Sequence, residues 1–144
     1  MTVVYLALGS NLGDRDRNLA EARRLLAAAG VRLLRQTPVR ETEPFGVTDQ
    51  PRFLNQVVEG EWDGTPRRLL ETVKGVEREI GRRPRYRWGP REIDVDIVLF
   101  GEEEVHEPDL QIPHPGLQDR QFLRELMGEL DGGTRGRREA ADPR

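Results

Sequence analysis

Residues 93–98 read Ile-Asp-Val-Asp-Ile-Val, followed by the apolar pair Leu99 and Phe100. A β-strand sorts that pattern, because alternate side chains share a face: the aliphatic residues take one side, and Asp94 and Asp96 point the same way from the other. Aspartate is depleted in strands, and neighbouring ionised carboxylates repel. A hard divalent cation removes that repulsion, since Mg²⁺ takes one or two carboxylates and leaves positions for phosphate oxygens. Two such ions about 3.5–4 Å apart could share the pair. A solvated edge face carrying two ordinary aspartates fits these residues equally well, so the flanking sequence has to decide.

Immediately upstream stand Arg82, Arg83, Arg85, Arg87 and Arg91, five arginines in ten residues. Arginine stays charged and offers a planar fork that matches phosphate oxygens. Gly81, Pro84, Gly89 and Pro90 make the segment a loop that could close over a nucleotide, with Trp88 as an anchor. The alternative is a solvated basic loop neutralised by Glu71, Glu77 and Glu79. No Walker-type loop exists, because Gly9-Ser10-Asn11-Leu12-Gly13 lacks the Lys-Ser/Thr ending, and the one lysine, Lys74, falls in a helical segment where it reads as a surface residue. The Gly9–Asp14 turn could cradle an anion or be a plain strand-to-helix turn, the latter being favoured.

The remaining segments set the fold. Thr2–Leu8 predicts a buried strand, and Leu19, Ala22, Leu26 and Ala29 predict an amphipathic helix, with Asp14 as its cap and Gly30 closing it. Val31–Arg40 has β character, with Pro38 implying an edge or bulge. Thr42–Arg52 predicts a loop and Phe53–Trp62 a strand. Thr65-Pro66 starts a second helix with its stripe at Leu69, Val73, Val76 and Ile80, which Gly81 closes. A weak hairpin is expected over Gly101–His106. Pro108, Pro113 and Pro115 predict an extended stretch, and Gln121–Leu130 a last short helix. Strand, helix, strand, strand, helix, strand is the ferredoxin-like βαββαβ order, an α+β sandwich here with extra C-terminal elements. Residues 1–130 are expected to form one domain, and 131–144 a disordered tail.

Composition narrows the function. With 144 residues and no cysteine, disulfides, thiolate nucleophiles and cysteine-based zinc sites are excluded. A net charge of −3 gives no global attraction to nucleic acid or membrane, and no apolar run approaches the ~20 residues of a membrane span. No signal peptide is recognisable, so a cytoplasmic location is expected. His106 and His114 are the two histidines, too few for a zinc site. His114 could donate to a phosphate or be a solvent-facing turn residue. Asn55 could read a heterocycle edge or be satisfied by backbone, since its amide both donates and accepts. Phe45, Phe53 and Phe122 are core residues unless they meet around Asn55.

Arg87-Trp88-Gly89-Pro90-Arg91-Glu92-Ile93-Asp94-Val95-Asp96-Ile97-Val98 closely resembles the signature of the 6-hydroxymethyl-7,8-dihydropterin pyrophosphokinase family. Ala7–Gly13, Thr42–Gly46, Asp49-Gln50-Pro51, Phe53-Leu54-Asn55 and Ile112–Pro115 match in the family's order, over roughly Met1 to Leu130. The resemblance implies pyrophosphate transfer from ATP to the pterin alcohol in folate biosynthesis, with two Mg²⁺ ions bridging the ATP phosphates. It implies Asp94 and Asp96 as metal ligands and Arg82 and Arg91 as catalytic groups on a mobile 82–91 loop. Glu77, Arg87, Trp88, Ile97, His114 and Arg120 would bind ATP. Thr42, Pro44, Phe45, Phe53, Asn55 and Phe122 would line the pterin pocket. Glu43 stands where the family pattern has proline. The implied partners are small molecules alone, with neither nucleic acid nor membrane, and the implied state is a monomer.

Two other functions share the fold. An RNA-binding module needs exposed aromatics in RNP-type motifs, where the first strand offers only Tyr5. A small-molecule regulatory domain has no use for five arginines beside paired aspartates.

Overall fold

Strand β1 (Thr2–Ser10) runs through the middle of the molecule, paired antiparallel on both sides, with β4 (Phe53–Trp62) on one flank and β5 (Asp94–Phe100) on the other. The computed structural model describes residues 1–43, 49–81 and 91–130. β2 (Arg32–Gln36) and β3 (Arg40–Thr42) both pair with β4, giving a sheet of order β2-β4-β1-β5 with β3 beside β4. Taking β2 and β3 as one interrupted strand, this is the expected ferredoxin-like arrangement.

Helices α1 (Arg15–Ala28) and α2 (Pro66–Gly81) cover one face. Val4, Leu6 and Leu8 of β1 alternate toward them, as do Val95 and Ile97 of β5, and meet Leu19, Ala22, Leu26, Leu69, Val73 and Val76 in one buried cluster. The Asp14 carboxylate accepts from Arg17 N–H at 3.2 Å and caps α1, while Gly30, at φ +111°, ends it. Thr65 Oγ1 accepts from Arg68 N–H at the start of α2, with Pro66 as its first residue.

Among the described residues the other face is covered by α4 (121–130), whose Leu123, Leu126 and Leu130 pack on Val57 and Val98. The far end of α4 is tied down by Arg35. Its guanidinium grips Glu59 with two bonds of 2.8 and 2.9 Å and donates to Leu130 O at 3.0 Å, while the Tyr5 hydroxyl donates to Glu59 at 2.5 Å. At the opposite end of the same face no helix among the described residues covers the sheet fully, and a cleft remains.

Three local expectations change. The segment 31–40 is not one strand, because Pro38 has no N–H and breaks the ladder. Thr37 manages the break: its N–H donates to Val57 O (2.9 Å) and its Oγ1 accepts from Val57 N–H (3.0 Å). Thr42 belongs to β3 rather than a loop. The hairpin is displaced, with β6 (Val105–Glu107) pairing with β7 (Leu110–Ile112) and Pro108-Asp109 forming the turn instead of an extended stretch. Proline suits that place because its fixed φ presets a turn. Helix α3 (Gly116–Asp119) is a single short turn before α4. The expected tail, 131–144, lies outside the described residues.

Candidate active site

The open end of the sheet is a row of strand partners. Gly9 of β1 sits opposite Asn55 on one side and opposite Asp94 on the other. One step along, Ala7 pairs with Asp96, and across the outer ladder Thr42 pairs with Phe53. Opposed residues in a ladder share a face, and neighbouring strands lie about 4.8 Å apart, so the Asn55 amide and the Asp94 carboxylate are rooted roughly 10 Å apart across a glycine. Gly9 keeps the floor low: a Cβ there would stand 3.3 Å from Asn55 Oδ1 and 3.4 Å from Phe53 Cδ1. Above this floor lies a cleft of about 280 Å³ with Thr42, Phe53 and Asn55 together at one end and Arg91, Asp94, Asp96, His114, Arg120 and Phe122 also in its wall.

At the amide end, Asn55 Nδ2 donates to Thr42 Oγ1 at 2.5 Å and leaves its Oδ1 beside Gly9. Phe53 and Phe122 are half-buried aromatic walls. A flat heterocycle with donors and acceptors on its edge suits this combination, since the rings offer faces and the amide offers both hydrogen-bond polarities.

At the other end negative charge accumulates. Burial, and then the Asp96 and Glu77 carboxylates, push Asp94 up to about 6 against the opposing pull of Arg91 and Lys74. The Arg91 guanidinium stands 3.8 Å from Asp94 Oδ1. Glu77 reaches from α2 behind the strand to accept Val95 N–H at 2.7 Å, and burial raises its pKa. Lys74 is 3.3 Å from Glu77, so the expected surface lysine takes part in the electrostatics of this end. His114 is held by a bulge: β5 carries Val98 as an extra residue against β1, and Val98 O accepts His114 N–H at 3.0 Å. Because His114 Nδ1 accepts from Gly116 N–H at 2.9 Å, a neutral ring carries its proton on Nε2, which lies 3.9 Å from Asp96. Burial lowers the His114 pKa, with Asp96 opposing and Arg120 adding to the shift.

Nine of the expected site residues thus surround one cleft. Glu77 lies behind β5. The Ile97 side chain is 4% exposed in the helix-side core, so it is not presented to the cleft. Arg82, Arg87, Trp88, Pro44 and Phe45 lie outside the described residues, as does most of the 82–91 loop. His106 is on β6, exposed, and does not line the cleft. The expected Gly9–Asp14 turn is shorter than the sequence suggests, because Gly9 and Ser10 end β1, and the Asp14 carboxylate itself caps the α1 N-terminus. Ala7, Leu8, Glu43 and Leu123 also line the cleft, and Gly9 is its floor rather than a turn residue. Only strand register reveals those placements, although Leu123 is signalled by its position next to Phe122 on an amphipathic helix.

Comparison with known proteins bears directly on this cleft. A family model described as 7,8-dihydro-6-hydroxymethylpterin-pyrophosphokinase matches residues 5–132. This chain belongs to that family. The 2-amino-4-hydroxy-6-hydroxymethyldihydropteridine pyrophosphokinase of Bacillus subtilis is 40% identical, over 89% of this chain and 77% of its own. The protein of the same name from Aquifex aeolicus is 40% identical over 85% and 76%. The mitochondrial folate synthesis bifunctional protein of Arabidopsis thaliana is 42% identical over 91% of this chain but only 24% of its own length. The chain thus spans about a quarter of such bifunctional relatives and most of the single-function ones.

Proposed function

We propose that this chain transfers pyrophosphate from ATP to 6-hydroxymethyl-7,8-dihydropterin, a step of folate biosynthesis. The hydroxymethyl oxygen bonds to the β-phosphorus, the bridge to the α-phosphate breaks at that phosphorus, AMP leaves with the bridging oxygen, and the hydroxyl proton is released. The observation that carries this reading is the row Asn55–Gly9–Asp94. It sets a heterocycle-reading amide and a phosphate-side carboxylate on one face, roughly 10 Å apart. That span lets a pterin lie against Phe53 and Phe122 while its hydroxymethyl group points toward the aspartates.

The donor set suits a hard cation. Asp94 and Asp96 share a face, and burial together with the neighbouring Asp96 and Glu77 carboxylates raises Asp94 to about 6. Mg²⁺ shared with phosphates takes one or two protein carboxylates, a number that Asp94 and Asp96 supply. Asp94 and Asp96 would hold two Mg²⁺ ions, which when bound supply charge neutralisation at the phosphate oxygens. Arg91 and Arg82 would meet charge developing on the transferred group, and Glu77, Arg87, Trp88, His114 and Arg120 would hold the nucleotide, with Ile97 contributing through its backbone. Thr42, Pro44, Phe45, Phe53, Asn55 and Phe122 would hold the pterin. Residues 1–130 are the catalytic domain in this reading, acting as a cytoplasmic monomer on small molecules. Among the described residues no helix is long and apolar enough to cross a membrane.

Incubation with ATP, Mg²⁺ and 6-hydroxymethyl-7,8-dihydropterin tests the proposal. AMP and the pterin diphosphate are the expected products. Formation of ADP, or no pterin-dependent nucleotide turnover, overturns it.

A further inference from the structure

Asn11 follows the last residue of β1 and is 1% exposed. Its hydrogen bonds join two segments that are distant in sequence. Its N–H donates to Arg91 O at 3.0 Å, and its Oδ1 accepts Arg91 N–H at 2.7 Å, so both backbone groups of Arg91 close on one residue. Its Nδ2 donates to Gln50 Oε1 at 2.8 Å and to Pro51 O at 3.0 Å. The amide can sit only this way round. Flipped, its carbonyl would face two oxygens and its NH₂ would face an N–H.

What the two arms hold gives the arrangement meaning. Arg91 stands three residues before β5, outside the ladder, and its guanidinium comes within 3.8 Å of Asp94. Gln50 and Pro51 lead through Arg52 into β4 at Phe53, and thus to Asn55 two residues later. One buried amide therefore ties the carboxylate end of the cleft to the aromatic end. We infer that Asn11 is a positioning residue: it fixes Arg91 beside the phosphate side of the cleft and, through Gln50 and Pro51, keeps the pterin side in step with it. The inference rests on the proposed reaction and adds a residue that touches neither substrate.

A purely structural asparagine and a positioning one differ in how their loss combines with the loss of Arg91. Asn11→Ala should lower kcat by on the order of tenfold or more, the scale of losing a supporting residue around a site. In an Arg91→Ala background the same change should cost less than about twofold, because the group it positions is gone. Asn11→Asp keeps the acceptor for Arg91 N–H but sets an anion against Pro51 O. It should lose several-fold less kcat than Asn11→Ala while weakening pterin binding, measured by titration, roughly tenfold with ATP affinity little changed. Gln50→Ala should weaken pterin binding in the same direction. Equal kcat losses with and without Arg91, or an Asn11→Asp variant that loses as much kcat as Asn11→Ala with normal pterin affinity, would overturn the inference. If Asn11→Ala does not fold, Asn11→Asp and Gln50→Ala decide through the two affinities, and unchanged pterin binding in both counts against it. An inactive wild type sinks the proposed reaction instead, so the two failures are distinguishable.

Discussion

The two faces of the sheet are built from the same strands and do opposite things. On the helix side, Val4, Leu6 and Leu8 of β1, Leu54, Val58 and Trp62 of β4 and Val95 and Ile97 of β5 disappear into one cluster with α1 and α2, and the polar Gln56 among them is buried with its amide bonded to Arg23 and Thr37. On the other side, the residues between them are Gly9, Asn55, Asp94 and Asp96 at one end, and Tyr5, Val57, Val98 and Glu59 at the other. Among the described residues it is the second end that α4 roofs, with the Arg35–Glu59 pair and the Leu130 carbonyl locking its tail. The contrast separates stability from chemistry: the closed face supplies the burial that makes the domain fold, which leaves part of the open face free to carry groups a core would reject.

Mutations on the two faces should therefore separate cleanly. The largest effect is expected at the carboxylates: Asp96→Ala should cut the transfer rate by roughly 10³-fold, the scale of removing one key electrostatic group, with an unchanged circular dichroism spectrum. A variant that kept most of its turnover would break the assignment of chemistry to this face. Next comes the closed face. Leu6→Ala, at a fully buried position, should cost about 2–5 kcal/mol in urea unfolding while each folded molecule keeps its kcat within about twofold. A large kcat loss at unchanged stability would show that the faces are not independent.

Smaller effects sharpen the picture within the cleft. Asn55→Ala should cost about 1–3 kcal/mol of pterin affinity and leave ATP affinity intact, since it strips the hydrogen-bonding edge at one end only. Calorimetric titration with each ligand reads this, and a loss confined to ATP would reverse the orientation of the substrates.

The smallest effect concerns Asp94 in the metal-free protein. Its carboxyl titrates near 6 when folded against an ordinary 3.8, so between those values the folded state binds more protons than the unfolded one. Stability should then fall as pH rises through that window and level off above it. The carboxylate is over a third exposed, so solvent screening reduces the effect to about 1 kcal/mol. Asp94→Asn should flatten the profile, as should Mg²⁺ added to the wild type. Thermal melts from pH 4 to 7 showing the same slope in wild type and variant would contradict this account.

Much of this could be read from local pattern. The period of two in Ile93–Val98 and the period near 3.6 in Leu69–Ile80 each place a segment without reference to anything distant. Asp14, Thr65 and Gly30 mark helix ends by chemistry that acts over three or four residues. The break at Thr37–Pro38 was harder to place, because Thr37 keeps its bonds by turning its hydroxyl to Val57, twenty residues away. The Pro108 turn was hidden because proline serves turns and extended chain alike.

What the sequence determined by itself is therefore the identity of the elements, the sharing of one face by Asp94 and Asp96, and the family. Side-chain period and capping are short-range, and the motif spanning the two aspartates is contiguous. Register was left to the tertiary structure. That Gly9 lies between Asn55 and Asp94, that Val98 bulges to hold His114, that Glu77 meets Val95 from behind and that Asn11 joins Gln50 to Arg91 all depend on pairing between residues about 15 to 85 positions apart. Such pairing is chosen by the burial of the whole closed face, since sliding β1 by a single residue would turn Leu6 and Leu8 outward, and sliding β5 would turn Asp94 and Asp96 into the core.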